Sequence, residues 1–141
     1  MILLDTDVVS EGLRPQPSMR VRKWTDAQRH STLYLCTPVL AELRFGLERL
    51  SDGRRKSDLR RGIDKIENDL FLGRILPFDL AAAHEYSLLM VHRQRRGRPI
   101  DLMDGLVAAI ARSQGASLAT RNTNHFIDLG IDLINPFEAS T

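Results

Sequence analysis

Apolar residues follow two patterns along this chain. Short apolar-rich runs occur at Met1-Ile2-Leu3-Leu4, Leu33-Tyr34-Leu35-Cys36, Arg74-Ile75-Leu76-Pro77-Phe78 and Ser117-Leu118-Ala119-Thr120, with a last one inside Leu129–Pro136. Runs of this length read as strands, and an unbroken run reads as a strand buried on both faces. Between them, apolar residues recur at helical spacing. The sets are Met19, Val21, Trp24 and Ala27; Val39, Leu40, Leu43, Leu47 and Leu50; Leu59, Ile63, Ile66 and Leu70; Ala82, Ala83, Tyr86, Leu89 and Met90; and the segment Ile100–Arg112. Trp24 is expected to anchor the core.

Boundary residues agree with these elements. Pro15-Gln16-Pro17 breaks a first short helix, and Ser18 caps the second. Thr37-Pro38 pairs a capping hydroxyl with proline at the first helical position. Ser51-Asp52-Gly53 is a turn, Gly73 and Gly115 end helices, and Asp79 and Asp101 are N-caps. Gly62 weakens its helix, and Pro77 puts the third strand at an edge or a strand end. Strands alternating with helices predict an α/β fold with a parallel central sheet of about five short strands flanked by helices, in a single domain over residues 1–141.

Composition narrows the setting. A chain of 141 residues with 43% hydrophobic and 27% charged residues builds an ordinary core. No apolar run approaches the roughly 18 residues of a membrane span, and the first residues lack the pattern of a signal peptide. The single cysteine, Cys36, has no internal partner and reads as a small buried apolar residue. These features lead us to expect a cytoplasmic protein with no membrane contact. Net charge is only +2, yet of the 20 basic residues only Lys23, Lys56 and Lys65 are lysines. Arginines cluster at Arg54-Arg55-Lys56, Arg60-Arg61 and Arg93-Gln94-Arg95-Arg96-Gly97-Arg98. They are either solvated helix faces or a grip on phosphate, for which arginine is preferred.

The acids decide more. Asp5 follows the first strand directly, and ligands of open α/β sheets bind beyond the carboxyl ends of strands. Glu42 lies in the second turn of the helix after the second strand. Asp104 lies in the first turn of its helix on one side with Ala108 and Ala111, where small residues permit close approach to a sheet. As a first-turn acid it also favours the helix dipole. Converging carboxylates repel one another unless a cation lies between them, and oxygen-only sets suit Mg²⁺ or Mn²⁺. His30, His84, His92 and His125 are scattered, which disfavours zinc. No Gly-rich phosphate loop follows the first strand and no Gly-x-Ser-x-Gly elbow is present. Haloacid-dehalogenase-type phosphatases and receiver domains share the acid at the first strand but need a late lysine, and here none follows Lys65. A divalent cation ringed by arginines fits phosphodiester hydrolysis.

The chain resembles PIN-domain proteins of the VapC type, nearest their FitB-like branch. The likeness rests on Leu3-Leu4-Asp5-Thr6-Asp7-Val8-Val9-Ser10-Glu11, Ala41-Glu42-Leu43-Arg44-Phe45-Gly46, Gly73 through Asp79, Gly97-Arg98-Pro99-Ile100 leading to Asp104, Ala119-Thr120-Arg121-Asn122 through Phe126, and Ile134-Asn135-Pro136. It implies a PIN-like fold and a metal-dependent endoribonuclease, the toxin of a type II toxin–antitoxin pair. Asp5, Glu42 and Asp104 then match the acidic catalytic and metal-binding cluster. Asp5 and Asp104 would be the principal ligands of Mg²⁺ or Mn²⁺, and Glu42 a ligand or the base that orients water. The implied partners are RNA and a cognate antitoxin with a DNA-binding domain, in a homodimer or a heterotetramer or larger assembly with antitoxin. The alternative is a catalytically weak PIN-like regulatory module that binds its antitoxin and operator DNA.

Two positions depart from that family. Asp7 stands where asparagine is usual; it either joins the metal site, binds through water, or caps the next helix, and capping is the preferred expectation. A fourth acid often lies near Asn122 or His125, and neither is acidic here, which speaks against a second metal ion. Thr6, Asp7, Ser10 and Asn122 are the candidates for support around the cluster, although Thr6 and Ser10 equally suit helix capping. Arg93, Arg95, Arg96, Arg98 and Arg121 are the candidates for gripping RNA.

Overall fold

The computed structural model describes residues 1–138, so the last three residues of the expected domain lie outside the described ones. Strands β1 (Ile2–Leu4), β2 (Leu33–Cys36), β3 (Ile75–Leu76), β4 (Ser117–Ala119) and β5 (Leu133–Ile134) form one parallel sheet in the order β3-β2-β1-β4-β5. The central strand is the most apolar one. Leu3 and Leu4 are 0% and 4% exposed, as a strand covered on both faces requires. Ile2 aligns with Leu33 on one side and Ser117 on the other, and the Asp5 amide extends the second ladder to the Ala119 carbonyl at 2.9 Å. The expected third strand is cut to two residues, ending just before Pro77. The missing N–H of proline stops the ladder there.

Six helices cover the sheet: α1 (Thr6–Gly12), α2 (Met19–Asp26), α3 (Thr37–Glu48), α4 (Arg54–Lys65), α5 (Leu80–Arg95) and α6 (Leu102–Gln114). The Ser18, Asp79 and Asp101 side chains accept from Val21, Ala82 and Asp104 amides, as capping residues do. Helix α3 starts one residue earlier than its sequence suggests, with Cys36 at the N-cap and no side-chain cap. Thr37 therefore lies inside the helix. Helix α4 runs on through a wider π-turn at Ile66–Leu70. Burial pushes the Cys36 thiol up to about 12, so it behaves as a packed apolar group. Trp24 is half-buried against the edge of the core and not at its centre.

Two glycines mark close approaches. A Cβ on Gly62 would stand 2.9 Å from Leu13 Cδ2, so its helix-weakening glycine makes room for the turn after α1. A Cβ on Gly105 would meet Tyr86 at 3.0 Å and the Met90 sulfur at 3.1 Å. Helices α5 and α6 pack at this contact, one residue from Asp104. Gly105→Val is expected to destabilise the fold by about 1–3 kcal/mol through overpacking, read from the denaturant midpoint. An unchanged midpoint would mean that the two helices are less closely seated.

Candidate active site

Strand order places a topological switch point at the carboxyl ends of β1 and β4. The chain leaves β1 for β2 on one side, whereas β4 returns on the other, and the crevice between them is where ligands bind in such sheets. Asp5 occupies that crevice. It is 6% exposed and is itself the N-cap of α1, with Oδ1 accepting from the Thr6 amide at 2.9 Å. Its Oδ2 accepts from the fully buried Thr120 hydroxyl at 2.8 Å. Burial, followed by the charge of Asp7, raises its pKa from 3.8 to about 6, against the lowering effect of the Thr120 and Thr6 hydrogen bonds; Asp104 adds further repulsion.

The expectation that Asp7 caps the next helix is overturned, because Asp5 holds that position. Asp7 sits within α1 and reaches across the sheet end instead. Its Oδ2 accepts from the Arg121 amide at 3.0 Å and from Asn122 Nδ2 at 3.3 Å. Its Oδ1 is buried without a hydrogen-bond partner among the described residues. Burial raises its pKa too, partly offset by the backbone amides that it engages. Asn122 thus supports Asp7, and its own amide donates to the Thr120 hydroxyl oxygen at 3.0 Å.

Glu42 and Asp104 reach the same end from α3 and α6. Thr6 donates from its hydroxyl to Glu42 Oε1 at 2.7 Å, linking the residue after Asp5 to Glu42. Asp104 lies beside His125, with Nδ1 2.9 Å from Oδ2. Burial and then the charge of Asp101 raise the Asp104 pKa, the His125 bond lowers it, and Glu42 raises it again. Among the described residues no three carboxylate, imidazole or thiol side chains converge closely enough to enclose an ion. The donor set still fits a cation held by one or two carboxylates plus water, the usual mode of Mg²⁺. Every acid whose pKa is shifted here is shifted up, and one buried carboxylate oxygen lacks a partner. Both features are what a positive charge at this place would relieve.

The remaining candidates divide. Ser10 makes no side-chain hydrogen bond to an acid among the described residues; it lines a groove of about 1140 Å³ that begins at Glu42 and carries Arg14, Arg54 and Arg55. Arg93 does not grip RNA. It is 3% exposed and spends its guanidinium on Asp128 and on the carbonyls of Arg98, His125 and Ile127. Arg96 pairs with the same Asp128, and the Arg121 guanidinium stacks 3.7 Å from the Phe137 ring centre. Arg95 and Arg98 are exposed. The sequence did not single out Thr120, and it marked His125 only as a position where a fourth acid is often found, not as a partner of Asp104. The hydroxyl at the end of β4 could have been found from its place opposite Asp5, whereas the partnership of His125 with Asp104 spans 21 residues and left no local signal.

Residues 2–131 match the PIN domain family. A VapC ribonuclease, Y4jK, from Sinorhizobium fredii is 41% identical over 138 residues, covering 98% of this chain and 99% of the relative. The chain belongs to the VapC-type PIN-domain family. Toxin FitB from Neisseria gonorrhoeae is 39% identical, with 97% and 99% covered. Among solved structures, FitAB bound to an IR36 DNA fragment superposes with a TM-score of 0.93 at 38% identity, covering 100% of this chain and 99% of that one. This PIN domain therefore has the parallel sheet and flanking helices expected from its sequence.

Proposed function

We propose that this PIN domain is an endoribonuclease, the toxin of a type II toxin–antitoxin pair, and that its acid cluster works with Mg²⁺ or Mn²⁺. The observation that carries the reading is Asp5: a buried carboxylate at the switch point, raised to about 6, beside Asp7 and Asp104. When bound, the cation supplies an activated water and neutralises charge on the scissile phosphate. Asp5 and Asp104 would hold it. The Thr6 hydroxyl fixes the direction of Glu42, which orients water or accepts its proton. Thr120 keeps Asp5 aimed into the crevice, and the Asp7 contacts hold the loop after β4 against α1. Arg14, Arg54 and Arg55 border the groove beside Glu42 and offer the backbone of an RNA strand its phosphate contacts.

A ribonuclease relative and a toxin relative, each matched over nearly its whole length, support this assignment. The partner is a cognate antitoxin with a DNA-binding domain, and the two assemble into a larger complex that binds operator DNA, as the DNA-bound FitAB neighbour does with its DNA fragment. Among the described residues no helix is long and apolar enough to cross a membrane. We place the protein in the cytoplasm, where its RNA substrate is. Expression without antitoxin is expected to arrest growth, and Asp104→Asn to abolish the arrest. Growth unaffected by the wild-type chain would favour the catalytically weak regulatory module instead.

A further inference from the structure

Arg121 and Phe137 meet beside the acid cluster. Arg121 follows Thr120, whose hydroxyl donates to Asp5, and its own amide donates to Asp7 Oδ2 at 3.0 Å. Phe137 lies just beyond β5, which pairs with β4; the Thr120 amide extends that ladder to the Ile134 carbonyl at 2.9 Å. Asn135 ties the two segments together. Its Nδ2 donates to the Arg121 carbonyl at 3.4 Å, and its Oδ1 accepts from the Phe137 amide at 3.0 Å. On these backbones the Arg121 guanidinium carbon lies 3.7 Å from the Phe137 ring centre. That is van der Waals contact, so the two planes lie nearly face to face. The ring is half-buried against the core and Arg121 is exposed. Arg93 and Arg96 spend their charge on Asp128, whereas among the described residues no carboxylate pairs with Arg121.

We infer that the guanidinium of Arg121, backed by Phe137, is a base-stacking subsite for a nucleotide flanking the cleaved bond. The inference rests on the ribonuclease reading of the acid cluster and adds a place for the base. A guanidinium is planar and weakly hydrated, and it stacks on rings with either face. Phe137 covers one face, which leaves the other open at the strand end whose Thr120 holds Asp5. Unpaired RNA bases stack on arginine planes as they do on aromatic rings. The N–H edge of the same group stays available to a phosphate. The ring beneath holds the plane in one orientation, so little side-chain freedom remains to be lost when a base arrives.

The test is binding of the full, antitoxin-free chain in EDTA to two labelled strands of equal charge: octauridylate, and eight abasic ribose-phosphate units. The ratio of the two affinities reads base contacts and cancels phosphate contacts. Arg121→Lys keeps the charge but removes the plane. It is expected to lower the ratio about ten-fold, within the range of one stacked base, while affinity for the abasic strand moves less than about two-fold. Phe137→Leu leaves the charge untouched and is expected to lower the ratio as well. A ratio unchanged in either variant overturns the inference and leaves the ribonuclease reading standing. Equal weakening of both strands in Arg121→Lys makes Arg121 a phosphate contact only and overturns it too. A wild-type chain that binds neither strand overturns both this inference and the ribonuclease reading.

Discussion

Asp5→Asn is expected to cut RNA at least about a thousand-fold more slowly than the wild type and yet to be the more stable protein at pH 8 in the absence of divalent cation. The rate loss follows from removing a ligand whose cation contributes several kcal/mol of charge stabilisation in the transition state, about 1.4 kcal/mol per factor of ten. The gain in stability follows from linkage. The Asp5 pKa lies at about 6 in the folded chain against an ordinary 3.8. A group raised in this way stabilises the fold fully below its unfolded pKa, and that contribution is lost as pH rises through the folded value. Burial and the neighbouring acids cause the shift, and Asp7 and Asp104 are shifted in the same direction. The cation-free protein should therefore lose stability between about pH 4 and pH 7, by up to about 3 kcal/mol from Asp5. Asparagine stays neutral throughout and still accepts from the Thr6 amide, so the variant escapes that loss. Thermal unfolding with EDTA across this range checks both signs, and a wild-type curve that rises with pH contradicts the account.

Arg93→Ala is expected to destabilise the fold by about 1–3 kcal/mol, the cost of removing a buried donor from the carbonyls that it holds. Arg93 satisfies Asp128 and three carbonyls at once; alanine leaves the Arg98, His125 and Ile127 carbonyls without this donor, whereas Asp128 keeps His92 and Arg96. Arg95, exposed two residues away, provides the control: Arg95→Ala should change stability by less than about 0.5 kcal/mol. Both are read from urea midpoints. A loss below about 1 kcal/mol in Arg93→Ala would mean that the loop over residues 123–128 is held by something else. Because the same loop carries His125, the variant is also expected to loosen the contact with Asp104.

Arg93 illustrates what the sequence discloses and what it hides. The run of arginines reads as a solvated or RNA-facing cluster, because charge is the strongest local signal. Position, however, argues otherwise: Arg93 continues the inner face of α5 four residues after the fully buried Leu89 and seven after Tyr86. Its counter-charge, Asp128, lies 35 residues on, beyond any local pattern. Asp7 was misread for a related reason. A second acid beside a strand end resembles a cap, and its true partners, the amide of Arg121 and the side chain of Asn122, come from the loop after β4, more than a hundred residues on.

The elements themselves were legible because burial on two faces or one stripe leaves a periodic trace. Leu3 and Leu4, the α3 stripe of Val39, Leu43 and Leu47, and the small face of α6 with Ala108 and Ala111 are all buried as that trace requires. Asp5 was legible as well, since a strand buried on both faces has only one place to put a carboxylate. What joins Asp5 to Thr120, Glu42 to Thr6 and Asp104 to His125 depends on which strands are neighbours, and no local pattern encodes strand order.

Cleavage of RNA by the purified, antitoxin-free chain, as Mn²⁺ or Mg²⁺ is added back after EDTA, is the most direct measurement of what the acid cluster does. Wild-type cleavage should be absent in EDTA, return with either cation, and fail to return in Asp104→Asn. Cleavage that persists in EDTA and in Asp104→Asn would contradict the assignment of the acid cluster as a cation-dependent ribonuclease site.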